Sequence, residues 1–325
     1  MTAKNDGPFR IVPAADGPAY EGLRALWSRT FGDPPSYADA FYANFGDDIK
    51  GWAVVDGAGE VCSALTCHLC GEYEGRPVYV SYAVCTREDM RGRGLAAMLT
   101  TFVRDEVTAA GGISLVSPAE PSLAAYYEKL GYEPHFFAVE RAVMSPEFDP
   151  DEFEECDEYD LVFDEIEKGE PGQGGGALRP EIDLQPLSAE QYSIYREAFL
   201  DGRPHITPTD AMLRLMESEC EGAMGFCSVN RGDAVCMISS ADPAKVCLSE
   251  LILNPVLQEL SLDIDSEIAS MIASHFDSAE TVFTTPGAGA IQGMVCGLPD
   301  MTDKEPNEDG SSVYAPEPYY GFPIQ

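Results

Sequence analysis

Positive charge is what this chain has least of. Its 325 residues carry 20 Lys and Arg against 56 Asp and Glu, a formal net charge of -36. Binding to nucleic acid or to an anionic membrane depends on clustered Lys and Arg, so neither is an expected partner. Nowhere do 18 consecutive apolar residues occur, which leaves no candidate transmembrane helix, and the opening MTAKNDGPFR lacks the apolar stretch of a secretory signal. The expected compartment is the cytoplasm. Ten cysteines would suit disulfides only in an oxidising compartment, so reduced thiols are expected. Cys67-His68-Leu69-Cys70 looks like half a zinc site, but no second CxxC or HxxxH completes four ligands. Residues three apart in a strand also point to opposite faces, so no metal is expected.

What the chain does have is enough apolar residue, 45%, for real cores, and a length beyond the usual single domain. The segment from Ser145 to Pro180 joins a run of Asp and Glu to Gly172-Gln-Gly-Gly-Gly176. Such a composition buries little and reads as a linker, or as a long acidic hairpin closing the first domain. The expected division is therefore residues 1–145, a linker at 146–180, and residues 181–325. The acidic balance fits a cationic substrate, and equally a surface adapted for solubility or high salt.

On either side of the linker the chain repeats itself. Phe9-Arg-Ile-Val-Pro13 and a helical stretch over 19–31 resemble Ile182-Asp-Leu-Gln-Pro186 and a helical stretch over 189–200. Gly51 to Cys62 parallels Gly225 to Cys236, each pattern predicting a β-hairpin around a Gly-containing turn. Beyond the hairpins the copies diverge. The first continues with the apolar run 78–86 and then Arg87-Glu-Asp-Met-Arg-Gly-Arg-Gly-Leu95, whereas the second has Asn254-Pro-Val-Leu and no glycine there.

A strand entering Arg91-Gly92-Arg93-Gly94 and then a helix is a phosphate-binding arrangement. Glycines let the backbone approach a ligand, and the helix start offers unpaired N–H groups and the positive end of a dipole. The helix is marked by an apolar stripe at Leu95, Met98, Leu99, Phe102, Val103 and Val107, ended by Gly111-Gly112. About 25 residues on come a strand over 113–117 and a short helix over 122–130 holding Tyr126-Tyr-Glu-Lys-Leu-Gly-Tyr132. Together these resemble the GCN5-related N-acetyltransferase (GNAT) family, whose signature is a long strand, an (Arg/Gln)-x-x-Gly-x-(Gly/Ala) loop and a later Tyr-Glu-Lys-x-Gly-(Phe/Tyr) turn. One departure is Asp89, an anion at the first loop position.

The resemblance implies an α/β fold of two GNAT-like domains, each a mixed sheet flanked by helices, the second degenerate, as in tandem proteins similar to the Eis-like acetyltransferases. It implies acetyl transfer from acetyl-CoA to a primary amine of a small molecule or peptide, by direct attack in a ternary complex. Val84, Cys85 and Thr86 become the strand end that pairs with the pantetheine arm, and Arg91, Gly92, Arg93, Gly94, Leu95 and Ala96 the pyrophosphate loop. Tyr127, four residues before Gly131, becomes the general acid, with Tyr126 the other candidate. The general base is not singled out; Glu120, His68 and Asp33 are possible by type. The contrasting reading is a non-catalytic acyl-CoA sensor or scaffold. A homo-oligomer is left open.

Overall fold

The computed structural model describes residues 8–145, 182–220, 222–258 and 263–298. The acidic segment and the aromatic C-terminal stretch lie outside them. The first half runs β1 (Arg10–Pro13), α1 (Gly17–Phe31), α2 (Pro35–Phe45), β2 (Ile49–Val55), β3 (Val61–Tyr73), β4 (Arg76–Thr86), α3 (Leu95–Ala109), β5 (Ile113–Val116), α4 (Ala124–Glu128) and β6 (Glu133–Met144). The second runs β7 (Leu184–Pro186), α5 (Ala189–Phe199), β8 (Ile206–Pro208), α6 (Asp210–Ser218), β9 (Gly225–Val229), β10 (Ala234–Ala241), β11 (Lys245–Leu253), α7 (Pro255–Gln258), α8 (Ile264–His275), β12 (Glu280–Pro286) and β13 (Ala290–Cys296). The two repeat units read from the sequence are thus two copies of one fold. β2–β3 and β9–β10 are the two hairpins, antiparallel in both cases.

Local chemistry accounts for the main elements. Leu23, Leu26 and Trp27 recur at three- and four-residue spacing and turn one face of α1 inward, while Gly32 ends the helix in the left-handed region at φ 88°. In α3 the buried apolar residues Leu95, Leu99, Val103 and Val107 follow a spacing of four, with Phe102 half-buried against the same core and Met98 exposed. Ser188 and Gln191 form a reciprocal capping box at the start of α5.

All 13 described strands join one sheet, ordered β1-β2-β3-β4-β5-β13-β6-β12-β11-β10-β9-β7, with β8 on β3. In each half one strand pair is parallel, β4 with β5 and β11 with β12. The sixth strand of the first half, β6, then pairs with β12 of the second, while β13 inserts between β5 and β6. Each half thereby lodges its last strand beside the other's parallel pair.

A second junction lies where β8 pairs with the end of β3. A Cβ on Gly71 would stand 2.2 Å from the Thr207 carbonyl oxygen, so glycine is what permits this approach. β8 is held from behind by a buried ion pair. Arg196 on α5 donates to Glu250 on β11 and, at 2.9 Å, to Ile206 O, while Tyr192 donates to Glu250 at 2.5 Å. Arg196 and Glu250 are both fully buried. Removing one member of such a pair strands the other charge in low dielectric. Glu250→Ala is therefore expected to lower unfolding free energy by about 3–5 kcal/mol, read from urea denaturation. A loss below about 1 kcal/mol would place the pair in the class of exposed bridges.

Candidate functional site

The site is built where β4 and β5 part. The two strands pair in parallel only from Val78 with Ile113 to Val80 with Leu115. β5 then ends at Val116 while β4 continues to Thr86, so the far edge of β4 faces a wedge rather than a neighbour. On its other edge β4 is fixed to β3 through a bulge. Ala64 pairs with Cys85 and Thr66 with Tyr82, so Leu65 alone opposes both Ala83 and Val84. Ala83 adopts φ 51°, a left-handed conformation that costs a non-glycine residue on the order of 1 kcal/mol or more. Side chains of β3 hold the distortion: Thr66 Oγ1 donates to Tyr82 O at 3.2 Å and Ser63 Oγ to Cys85 O at 2.8 Å.

Of the strand-end residues singled out in the sequence, Val84 and Thr86 are half-buried and Cys85 is buried. Burial pushes the Cys85 thiol up to about 12, so this residue can serve the site through its backbone and not as a nucleophile. Thr86 O accepts from Arg91 Nε at 3.4 Å, which folds Arg91 back to the strand end.

The loop residues Arg91, Gly92, Arg93 and Gly94 are all exposed, and Leu95 and Ala96 open α3. Gly92 and Gly94 take φ 76° and 74°, and a Cβ at either would meet open space. Glycine is thus required here by backbone conformation and not by crowding inside the protein. No acidic residue stands in the first turn of α3, and Met98 N–H closes onto Gly94 O. The N–H groups ahead of Met98 project from the helix end, where the dipole favours an anion. Asp89 does not oppose this: its carboxylate is bound by Arg87 at 2.7 and 3.2 Å, and the guanidinium keeps it below the usual carboxylate range.

α4 follows β5 and packs against its last residue, Val116, and against Met294. Tyr127 is buried among Val116, Ala124, Tyr132 and Met294, with its ring 5.2 Å from that of Tyr126 and 5.9 Å from that of Tyr132. Burial, with a smaller contribution from Tyr126, raises its phenol to about 12. It is therefore protonated throughout the physiological range, as a proton donor must be. Met294 belongs to β13, so the second half supplies part of the floor beneath Tyr127. Ser117 Oγ donates to Gln292 O across the same seam at 2.7 Å.

The three base candidates from the sequence are not brought together. Glu120 is exposed and accepts from Ser122. Asp33 accepts the Trp27 indole N–H at 2.8 Å. His68 is fully buried against Phe45 and Phe41, and burial lowers its pKa to about 3. Of the other histidines, His135 pairs with the Tyr73 hydroxyl at 3.0 Å and His205 with Glu197 at 2.9 Å, while His275 is exposed at the end of α8. Sequence reasoning passed over α2 and with it Tyr37, although Pro35 and the four-residue spacing of Tyr37, Phe41 and Phe45 were a readable helix signal.

In the second half the same wedge lacks its equipment. β11 outruns its pairing with β12, but Asp263, Asp265 and Glu267 occupy the cap and first turn of α8, a poor place for an anion. Arg141 of β6 reaches across to bind Asp265. β12 passes to β13 through Gly287-Ala288-Gly289, with no counterpart of α4 to carry a tyrosine. Among the described residues, no group of three or more His, Cys, Asp or Glu is placed to hold a metal, and no helix is long and apolar enough to cross a membrane.

Comparison with known proteins bears on the fold. Residues 60–141, from β3 through most of β6, match the model of the family described as FR47-like protein. Among solved structures, a conserved protein of Enterococcus faecalis V583 described as a probable N-acyltransferase aligns at TM-score 0.61 and 10% identity, over 88% of this chain and 72% of that one. A GCN5-related N-acetyltransferase from Anabaena variabilis aligns at 0.58 and 13%, over 88% and 72%. Eis1 from Mycobacterium abscessus aligns at 0.51 and 13%, over 87% of this chain and 66% of that one. No curated protein matches the sequence. At these identities the likeness is one of fold: the chain carries the GNAT fold twice, with the FR47-like segment in the first copy.

Proposed function

We propose that this tandem GNAT-fold chain is an N-acyltransferase whose first copy moves an acetyl group from acetyl-CoA to a primary amine. The observation that carries the reading is the strand edge left open beyond Val80, leading into an acid-free helix start, with the protonated phenol of Tyr127 on the helix that follows β5. The N–H groups at the start of α3 and the exposed Arg93 would hold the pyrophosphate. Backbone of Val84 to Thr86 would extend the sheet to the pantetheine amides, and an N–H of the bulge would face the developing oxyanion. Tyr127 would return a proton to the departing thiolate. The pairing of Asp89 with Arg87 offsets one of the two features that favoured a sensor without turnover; the other is the unassigned general base.

Thiol release from acetyl-CoA, followed across a panel of primary amines, tests this reading. Amine-dependent release with stoichiometric acetylation is expected. Tight acetyl-CoA binding with no release above the buffer rate for any amine would instead support the sensor.

A further inference from the structure

The attacking amine must lose a proton, and the base candidates read from the sequence are not gathered at one place. The face of β4 that carries α1 and α2 offers a different route. Tyr82, the residue before the bulge, stacks on Phe41 with centroids 5.1 Å apart and planes at 9°, and meets Trp27 edge-on at 5.5 Å. Tyr37 on α2 shares both neighbours, at 6.0 Å from Trp27 and 6.3 Å from Phe41, and its hydroxyl interacts with that of Tyr82. The Tyr37 hydroxyl donates to Glu219 Oε1 at 2.8 Å. Glu219 caps the end of α6 and therefore comes from the second copy. Tyr37 and Tyr82 are half-buried, whereas Glu219 is exposed. Tyr37 and Glu219 line a groove of roughly 350 Å³ between α2 and α6 that opens to solvent.

Resting on the transferase reading, we infer that Tyr82, Tyr37 and Glu219 form the proton exit of the acceptor amine, with a carboxylate of the second copy as its terminus. The bookkeeping closes without any further reagent. The amine nitrogen bonds to the acetyl carbon, the carbon–sulfur bond breaks, and Tyr127 protonates the sulfur. Before attack the arriving ammonium gives one proton to Tyr82 Oη as the Tyr82 proton moves to Tyr37 Oη and the Tyr37 proton to Glu219, and the proton that the adduct nitrogen then sheds goes to water. Glu219 discharges to water in the groove, and Tyr127 is reprotonated from solvent.

Tyr82 is the catalytic member, since it alone adjoins the bulge; Tyr37 and Glu219 act through it. The charged and titratable groups around them are Asp33 near Tyr82, Arg214 across the groove and held by Asn44 at 3.0 Å, Glu217 and Cys220 flanking Glu219 in sequence, and the neutral His68 behind Tyr82. Asp33 and Glu219 make the entry acidic, so the route favours an acceptor that arrives as a cation and is neutralised there. The second copy, which lacks a donor site of its own, thereby acquires a part in the reaction.

The test is the pH profile of acetyl transfer to an amine selected from the panel, for the full chain and for Glu219→Gln, Tyr37→Phe and the double variant. Glu219 is exposed and the Phe change keeps the ring, so all three should fold; thermal unfolding checks this. Each single variant is expected to lower kcat roughly 10- to 10²-fold near neutral pH. The deficit should close as pH rises and more amine arrives neutral, with acetyl-CoA affinity by calorimetry unchanged. Because both residues serve one path, the double variant should be no slower than the worse single. Glu219→Asp should restore part of the rate. Wild-type profiles in Glu219→Gln, a deficit constant with pH, or additive losses in the double variant would overturn the inference while leaving the transferase reading intact. A wild-type chain that acetylates no amine would overturn both.

Discussion

Gly94→Glu is expected to abolish acetyl-CoA binding and leave the fold in place. Gly94 sits at φ 74° as the cap of α3, and a Cβ there meets nothing within 4 Å. The substitution therefore forces no clash inside the protein, and its conformational cost is about 1–3 kcal/mol, carried by an exposed turn. What it changes is the approach to the helix start, where it adds bulk and an anion at the point reserved for a phosphate. Calorimetry should show no measurable acetyl-CoA binding while thermal unfolding remains cooperative. An affinity within about threefold of wild type, under 1 kcal/mol, would mean that the loop is not the donor site.

Tyr127→Phe carries the second largest effect, and it separates chemistry from packing because the ring stays and the proton goes. The phenol is raised to about 12, first by burial and then by Tyr126. A raised pKa keeps the acid form at every pH below about 12, so the alkaline limb of an activity profile cannot come from its ionisation. Turnover should fall on the order of 10²-fold or more, with acetyl-CoA affinity little changed. Tyr126→Phe is the internal control. The Tyr126 hydroxyl is buried with no partner among the described residues, so its removal should not destabilise, and adjacent helical residues point about 100° apart. If Tyr126→Phe proves damaging and Tyr127→Phe silent, the assignment passes to the neighbour. If neither alters turnover, the acid lies elsewhere.

The parts of the fold legible in the sequence were those encoded by neighbours along the chain. The hairpins at Gly51 to Cys62 and Gly225 to Cys236, the loop at Arg91 to Gly94, and the turn ending at Gly131 each carry their signal within a dozen residues. The exchange of β6 and β13 was not legible. Strand patterns specify which face is buried but not which strand lies alongside, and here the partners of β6 come from β12 and β13, more than a hundred residues away. Tyr37 and Glu219 were hidden for the same reason, being 182 residues apart in sequence. The bulge escaped notice because Ala83 carries no glycine-like mark of its positive φ; only the pairing of Leu65 with two residues reveals it. Asp89, which looked like a defect in the loop, is neutralised by Arg87 two residues away, a contact that depends on the turn between them.

The account rests on one copy being equipped and the other not: positive-φ glycines and an acid-free helix start at α3, against Asp263, Asp265 and Glu267 at α8. Titration of the intact chain with acetyl-CoA in a calorimeter tests that difference most directly. One molecule bound per chain, lost on Gly94→Glu, is the predicted result; two equivalent sites, or a single site indifferent to Gly94→Glu, would contradict it.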